Sequence, residues 1–106
     1  MKYLSIALMI SLIFGCEPQR CDYGNWTIKA ETNKGQVQIN DLPPQTIIIE
    51  RLLVDSWHTI RAIPNEGYTF ERWSTGATAN PLSISIEDCP DGTERFSEIE
   101  AYFVVE

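Results

Sequence analysis

At 106 residues the chain has room for one domain, and a core of that size is marginal without a covalent staple. It carries 8 basic against 15 acidic residues, a formal charge of −7, and losing Lys2 with a leader would make it more acidic still. Such a surface repels nucleic-acid phosphates, and no basic cluster in the sequence offsets it, so nucleic acid is excluded as a partner.

Met1-Lys2 and the apolar run through Phe14 have the anatomy of a secretory leader, and the run is too short for a comfortable membrane span. Ile13-Phe14-Gly15-Cys16 then resembles the lipobox of bacterial lipoproteins, although Phe14 is a less usual occupant of its site. The resemblance implies removal of residues 1–15, thioether-linked diacylglycerol on Cys16, and a membrane anchor. Ordinary cleavage nearby, leaving Cys16 as a free or paired thiol, is the alternative. Glu17 follows rather than Asp, so the familiar inner-membrane retention signal is missing and the outer membrane is the expected address. Three cysteines in an exported chain leave one unpaired. With Cys16 lipidated, Cys21 and Cys89 remain as a natural disulfide pair in an oxidising compartment. No Cys-x-x-Cys or His-x-x-x-His spacing joins Cys21, Cys89 and His58, so neither a metal nor any other cofactor is expected.

Residues 16–24 read as the anchor and a short polar tether, and residues 25–106 as a single β domain. In 25–31, Trp26, Ile28 and Ala30 alternate with Thr27, Lys29 and Glu31, the mark of a strand with one apolar face. Thr32-Asn33-Lys34-Gly35 is a turn, and Val37 and Ile39 continue in a second strand, so the pair is expected to form a hairpin. Asp41-Leu42-Pro43-Pro44 stops it, because neither proline donates to a ladder. Residues 46–54 are predicted as a strand, since adjacent β-branched isoleucines crowd a helix. The helical spacing of Ile48, Leu52 and Asp55 keeps a helix open as the alternative. After a turn at Asp55-Ser56, Trp57, Arg61 and Ile63 fall on the strand face opposite Ile60 and Ala62. They form a candidate contact patch unless the Ile47-Ile48-Ile49 run packs over them, which the need to bury that run favours.

Pro64-Asn65-Glu66-Gly67 is a turn in which Gly67 takes a positive φ, and Tyr68 and Phe70 share a face of the next strand. Trp73 has the opposite parity, so a bulge near Glu71-Arg72 is needed to bring all three rings into one core. Leu82, Ile84 and Ile86 line a further strand after Asn80-Pro81. A polar loop, 87–95, contains Cys89, and in the last strand Ile99, Ala101, Phe103 and Val105 face inward. The pattern Ala62-x-Pro64-x-x-Gly67-Tyr68-x-Phe70-x-x-Trp73, with Asn80-Pro81-Leu82 and Ala101-x-Phe103, resembles the divergent internalin B-repeat domain of bacterial surface proteins. The resemblance covers about half the chain and implies a non-catalytic interaction module outside the cytoplasm. The expected fold is mainly β: about six or seven short strands in a twisted antiparallel sheet or small sandwich. A helix at 46–54 would instead give the β-grasp order, to which internalin B-repeats are similar. The predicted core is Ile60, Ala62, Tyr68, Phe70, Trp73, Leu82, Ile84, Ala101 and Phe103.

Candidate chemistry is sparse. His58 is the one histidine, and Asp55 and Ser56 lie too close in sequence, around a turn, to make a triad with it; a strand-end histidine is the expected role. Asp88, Asp91 and Glu94 do not follow the EF-hand order and read as a solvated acidic loop. Tyr23, Trp26 and Tyr68 are aromatics of the kind that stack on sugars, but such residues in a small sheet are more often core. The expected function is therefore that of an envelope lipoprotein, not an enzyme, whose β module binds a membrane-proximal protein or glycan. The alternative is an inhibitor or chaperone-like partner of an envelope enzyme, acting through the Cys89 loop.

Overall fold

The computed structural model describes residues 21–106. The leader and Cys16 lie outside the described residues. Among the described residues there are seven strands and no helix: β1 (Tyr23–Ala30), β2 (Gly35–Ile39), β3 (Ile47–Leu53), β4 (Trp57–Pro64), β5 (Tyr68–Trp73), β6 (Leu82–Ser85) and β7 (Phe96–Val105). They form a sandwich of a four-stranded sheet, ordered β3-β1-β7-β5, on a three-stranded sheet, ordered β2-β4-β6. Only β1 and β7 run parallel; the other pairings are antiparallel. Residues 47–53 are strand, so the β-grasp order does not apply.

The strands alternate strictly between the sheets in chain order, so no strand is hydrogen-bonded to the one before or after it. The expected hairpin of β1 and β2 is therefore wrong. Thr32-Asn33-Lys34-Gly35 is an arch that carries the chain across the core, and its closeness explains Gly35. A Cβ there would lie 2.5 Å from Phe103 Cζ and 2.7 Å from the Ile63 carbonyl oxygen. Pro64-Asn65-Glu66-Gly67 is likewise an arch, with Gly67 at φ 89° as its sequence requires. The two arches are joined, since Asn65 N–H donates to the Lys34 carbonyl at 2.9 Å. Hairpins and arches put the same apolar alternation on the core side of both strands, which is why local pattern does not separate them.

The expected bulge is present: the β5–β7 register shifts between Phe70 and Arg72, returning Trp73 to the core side opposite Ala101. Trp73 is fully buried, with the Phe70 ring 5.4 Å away at 57°. Ile60, Ala62, Ile84, Ala101 and Phe103 are buried as predicted. Tyr68, Phe70 and Leu82 are only partly buried and pack on the core's margin. The centre is more aliphatic than expected, made by Trp73 with Ile28, Val37, Ile39, Ile60 and Ile99 from both sheets. Burying each such aliphatic side chain stabilises by about 1.5–3 kcal/mol. Val105 has inward parity but is 77% exposed, because the opposing sheet ends before it.

Cys21, ahead of β1, is joined to Cys89 by a disulfide, with Cα atoms 5.6 Å apart. Both cysteines are buried. Beside the disulfide, Glu94 accepts from Asn25 Nδ2 at 2.9 Å and forms an ion pair with Arg51, whose guanidinium lies over the Tyr23 ring. The 87–95 loop is thus tied down by a covalent bond and an ion pair.

Candidate functional site

The outer face of the three-stranded sheet is built by alternation. Val37, Ile39, Ile60, Ala62 and Ile84 point inward, which turns Gln36 and Gln38 of β2, Trp57, Thr59, Arg61 and Ile63 of β4, and Ser83 and Ser85 of β6 outward. The register places Gln36 beside Ile63, Gln38 beside Arg61, Thr59 beside Ser83 and Trp57 beside Ser85. Trp57 is 73% exposed, Arg61 is exposed and Ile63 is half-buried. The expected cover does not form: β3 pairs with β1 in the other sheet, and its Ile47 and Ile49 are themselves exposed. That run divides by parity, Ile48 and Leu52 entering the core and Ile47, Ile49 and Leu53 facing solvent. The strands of this sheet read GQVQI, WHTIRAIP and LSIS, so Arg61 is their only formally charged side chain with His58 neutral, and none of them holds a carboxylate. In a chain with 15 acidic residues, the face offers amides, hydroxyls, one guanidinium and an indole.

Ser56 and His58 touch: Ser56 Oγ lies 2.9 Å from His58 Nε2. The direction of each hydrogen bond follows from its neighbours. Thr59 N–H donates to Asn40 Oδ1 at 3.1 Å, which turns Asn40 Nδ2 toward His58 Nδ1 at 3.1 Å. Nδ1 therefore accepts, and the ring proton sits on Nε2 and is donated to Ser56 Oγ. The Ser56 hydroxyl in turn donates to the Leu53 carbonyl. A catalytic base would have to accept the serine proton at Nε2, so the chain runs opposite to a Ser-His dyad. Its role is to clamp the β3–β4 turn, where Asp55 takes φ 57°, to the end of β2.

The acidic loop is mostly committed to itself. Asp88 Oδ1 accepts from Cys89 N–H and Asp91 Oδ1 from Thr93 N–H, while Arg51 and then Asn25 hold the Glu94 carboxyl down at about 2. Among the described residues no group of three or more His, Cys, Asp or Glu is arranged to hold a metal. Trp26 is partly buried and, with Ser85, Glu87, Arg95 and Ser97, lines a cleft of about 300 Å³ at the β6 edge. Tyr23 lies on the outer face of the four-stranded sheet under Arg51, and Tyr68 at the core margin, so the three aromatics do not meet. Sequence reasoning missed the exposure of Phe96, at 84%, and of Ile49, at 75%. The β3 alternation alone could have revealed Ile49, since a half-buried strand cannot hide three consecutive isoleucines.

Fold and site together define a small, disulfide-stapled β sandwich whose three-stranded sheet presents an outer face without carboxylates on its strands. No family model, no curated protein and no solved structure matches the chain.

Proposed function

We propose that this protein is a non-catalytic lipoprotein of the bacterial envelope, anchored through Cys16, that presents a single internalin-B-repeat-like module to a membrane-proximal protein or glycan. The observation that carries this reading is the outer face of the three-stranded sheet, where Trp57 stands exposed beside Arg61 and Ile63 and none of the described strands lies over it. An exposed tryptophan on an open sheet face is a common contact residue. The tether supports a nearby partner. Cys21 is fixed to the domain by its disulfide, and the five peptide steps from Cys16 reach at most roughly 17 Å. In-cell photocrosslinking from position 59 tests the reading, with Trp57→Ala as the comparison. A discrete adduct in the native protein that weakens in the variant is expected; no adduct, or one indifferent to Trp57, overturns it. The anchor has its own test: Cys16→Ser should abolish fatty-acid labelling and release the protein from membranes, and unchanged labelling refutes it.

A second reading, inhibition or chaperoning of an envelope enzyme, is favoured by the 87–95 loop. It is exposed over much of its length yet held by the Cys21–Cys89 disulfide and the Arg51–Glu94 pair, the rigidity an inhibitory loop needs. Adducts from position 93 rather than 59, formed with an enzyme, would select it.

A further inference from the structure

We infer that the partner of the open face is an uncharged glycan chain lying along β4, with one sugar stacked on Trp57 and others hydrogen-bonded by the rows of amides and hydroxyls beyond it. The inference rests on the interaction-module reading and assigns its ligand class.

The chemistry of the face selects the ligand. Protein interfaces draw on buried apolar anchors, yet here the one large exposed apolar side chain is Trp57, with Ile63 half-buried further along the strand. Between and beside them stand Gln36, Gln38, Thr59, Ser83 and Ser85, each offering a donor and an acceptor on a short or planar side chain. Such groups satisfy sugar hydroxyls in either sense. An indole presents a flat apolar surface to the C–H face of a pyranose while its edge stays in water. Trp57 and Arg61 lie on the same face four residues apart, a separation of roughly 13 Å along the strand. A single sugar does not span that distance, so the ligand is a chain. Gln38, beside Arg61, has its Nε2 engaged by the Leu42 carbonyl at 3.0 Å, which fixes the amide and leaves Oε1 to accept from a hydroxyl.

Charge narrows the class further. The strands of this sheet hold no carboxylate, whereas β7 alone carries Glu98 and Glu100 on the opposite side of the sandwich. A neutral chain meets no repulsion on this face. A polyanionic chain would gain Arg61, but that lone guanidinium is the one positive side chain these strands offer it in a protein of net charge −7.

The face is also held in shape. Asn40 joins β2 to β4 through Thr59, and Asn80 braces β4 from the other side, its amide donating to the Ala62 carbonyl and accepting from Ala62 N–H, both at 2.9 Å. A platform braced on both flanks loses little freedom on binding.

The full-length protein in mild detergent is titrated with β-1,4-linked hexasaccharides of glucose and of N-acetylglucosamine, and with a polyglucuronate of matched length, by calorimetry and amide chemical-shift mapping. Binding of at least one neutral chain is expected, with shifts centred on Trp57, Thr59 and Arg61 and the polyglucuronate weaker. Trp57→Ala should weaken binding by about tenfold or more. Because Trp57 is exposed, that variant should keep the native denaturation midpoint. Ile49→Thr, on the opposite sheet, should bind as the native protein does. Absence of binding to both neutral chains, shifts on the other sheet, or indifference to Trp57→Ala overturns the assignment. If position 59 then crosslinks a protein in the envelope, the interaction module stands and only its glycan ligand falls; if it crosslinks nothing, both fall.

Discussion

Truncating Trp73 tests the architecture most directly, because one side chain joins the core, the bulge and the long 74–81 connection. Its ring is fully buried, its indole N–H donates to the Ala79 carbonyl at 2.8 Å, and its backbone N–H donates to the Ala77 carbonyl at 2.8 Å. Trp73→Ala removes the ring and leaves a cavity against Phe70, at a cost of about 3–5 kcal/mol. Trp73→Phe keeps most of the apolar volume and loses the indole hydrogen bond. Since Ala79 is exposed and its carbonyl can turn to water, that loss costs about 1 kcal/mol, plus a smaller packing term. A domain of this size is stable by about 5–15 kcal/mol, so the alanine variant should be strongly destabilised and the phenylalanine variant clearly folded. Urea denaturation followed by far-ultraviolet circular dichroism reads both midpoints. An alanine midpoint that hardly moves would mean that the bulge does not deliver Trp73 to the core. Equal losses in the two variants would mean that the anchoring of the 74–81 segment, rather than the filled volume, dominates.

Reducing the Cys21–Cys89 disulfide, which spans a sequence separation of 68, should cost about 4 kcal/mol in the chain-entropy model. The check is the denaturation midpoint with and without reductant; a Cys21→Ala/Cys89→Ala variant insensitive to reductant but as stable as the native protein would contradict it. Gly35→Ala forces a methyl against the Phe103 ring and the Ile63 carbonyl and should cost about 1–3 kcal/mol, and a neutral result would show that the first arch has room to open. Glu94 titrates at about 2 when folded against an ordinary 4.5, because Arg51 and Asn25 bind its ionised form. A depressed folded value means that its contribution is complete above about pH 4.5 and is lost as the pH falls through about 2. Glu94→Gln should flatten that part of the acid stability profile, and added salt should shrink the difference; identical profiles would show that the ion pair contributes nothing at this exposed site.

Strand positions were legible because they depend on neighbours in the chain. Period-two alternation located all seven strands to within a few residues, Pro43-Pro44 marked the end of β2, and Gly67 announced a positive φ. Even the bulge at Glu71-Arg72 followed from the parity of Phe70 and Trp73. That Trp57, Arg61 and Ile63 share the face opposite Ile60 and Ala62 was legible for the same reason; that β3 leaves this face uncovered was not. Partner choice was not. Whether Thr32-Asn33-Lys34-Gly35 folds β2 beside β1 or across from it is decided by which backbone groups β7 and β4 satisfy, far along the chain. Both outcomes bury the same side chains, so alternation is blind to the difference. That nonlocal choice sent β3 to the far sheet and left Trp57 uncovered, and it brought Asn40 against His58 so that the imidazole donates to Ser56. Local sequence determined which residues face inward; the pairing of distant strands, through backbone hydrogen bonds that carry no side-chain signature, determined which outward faces stay open.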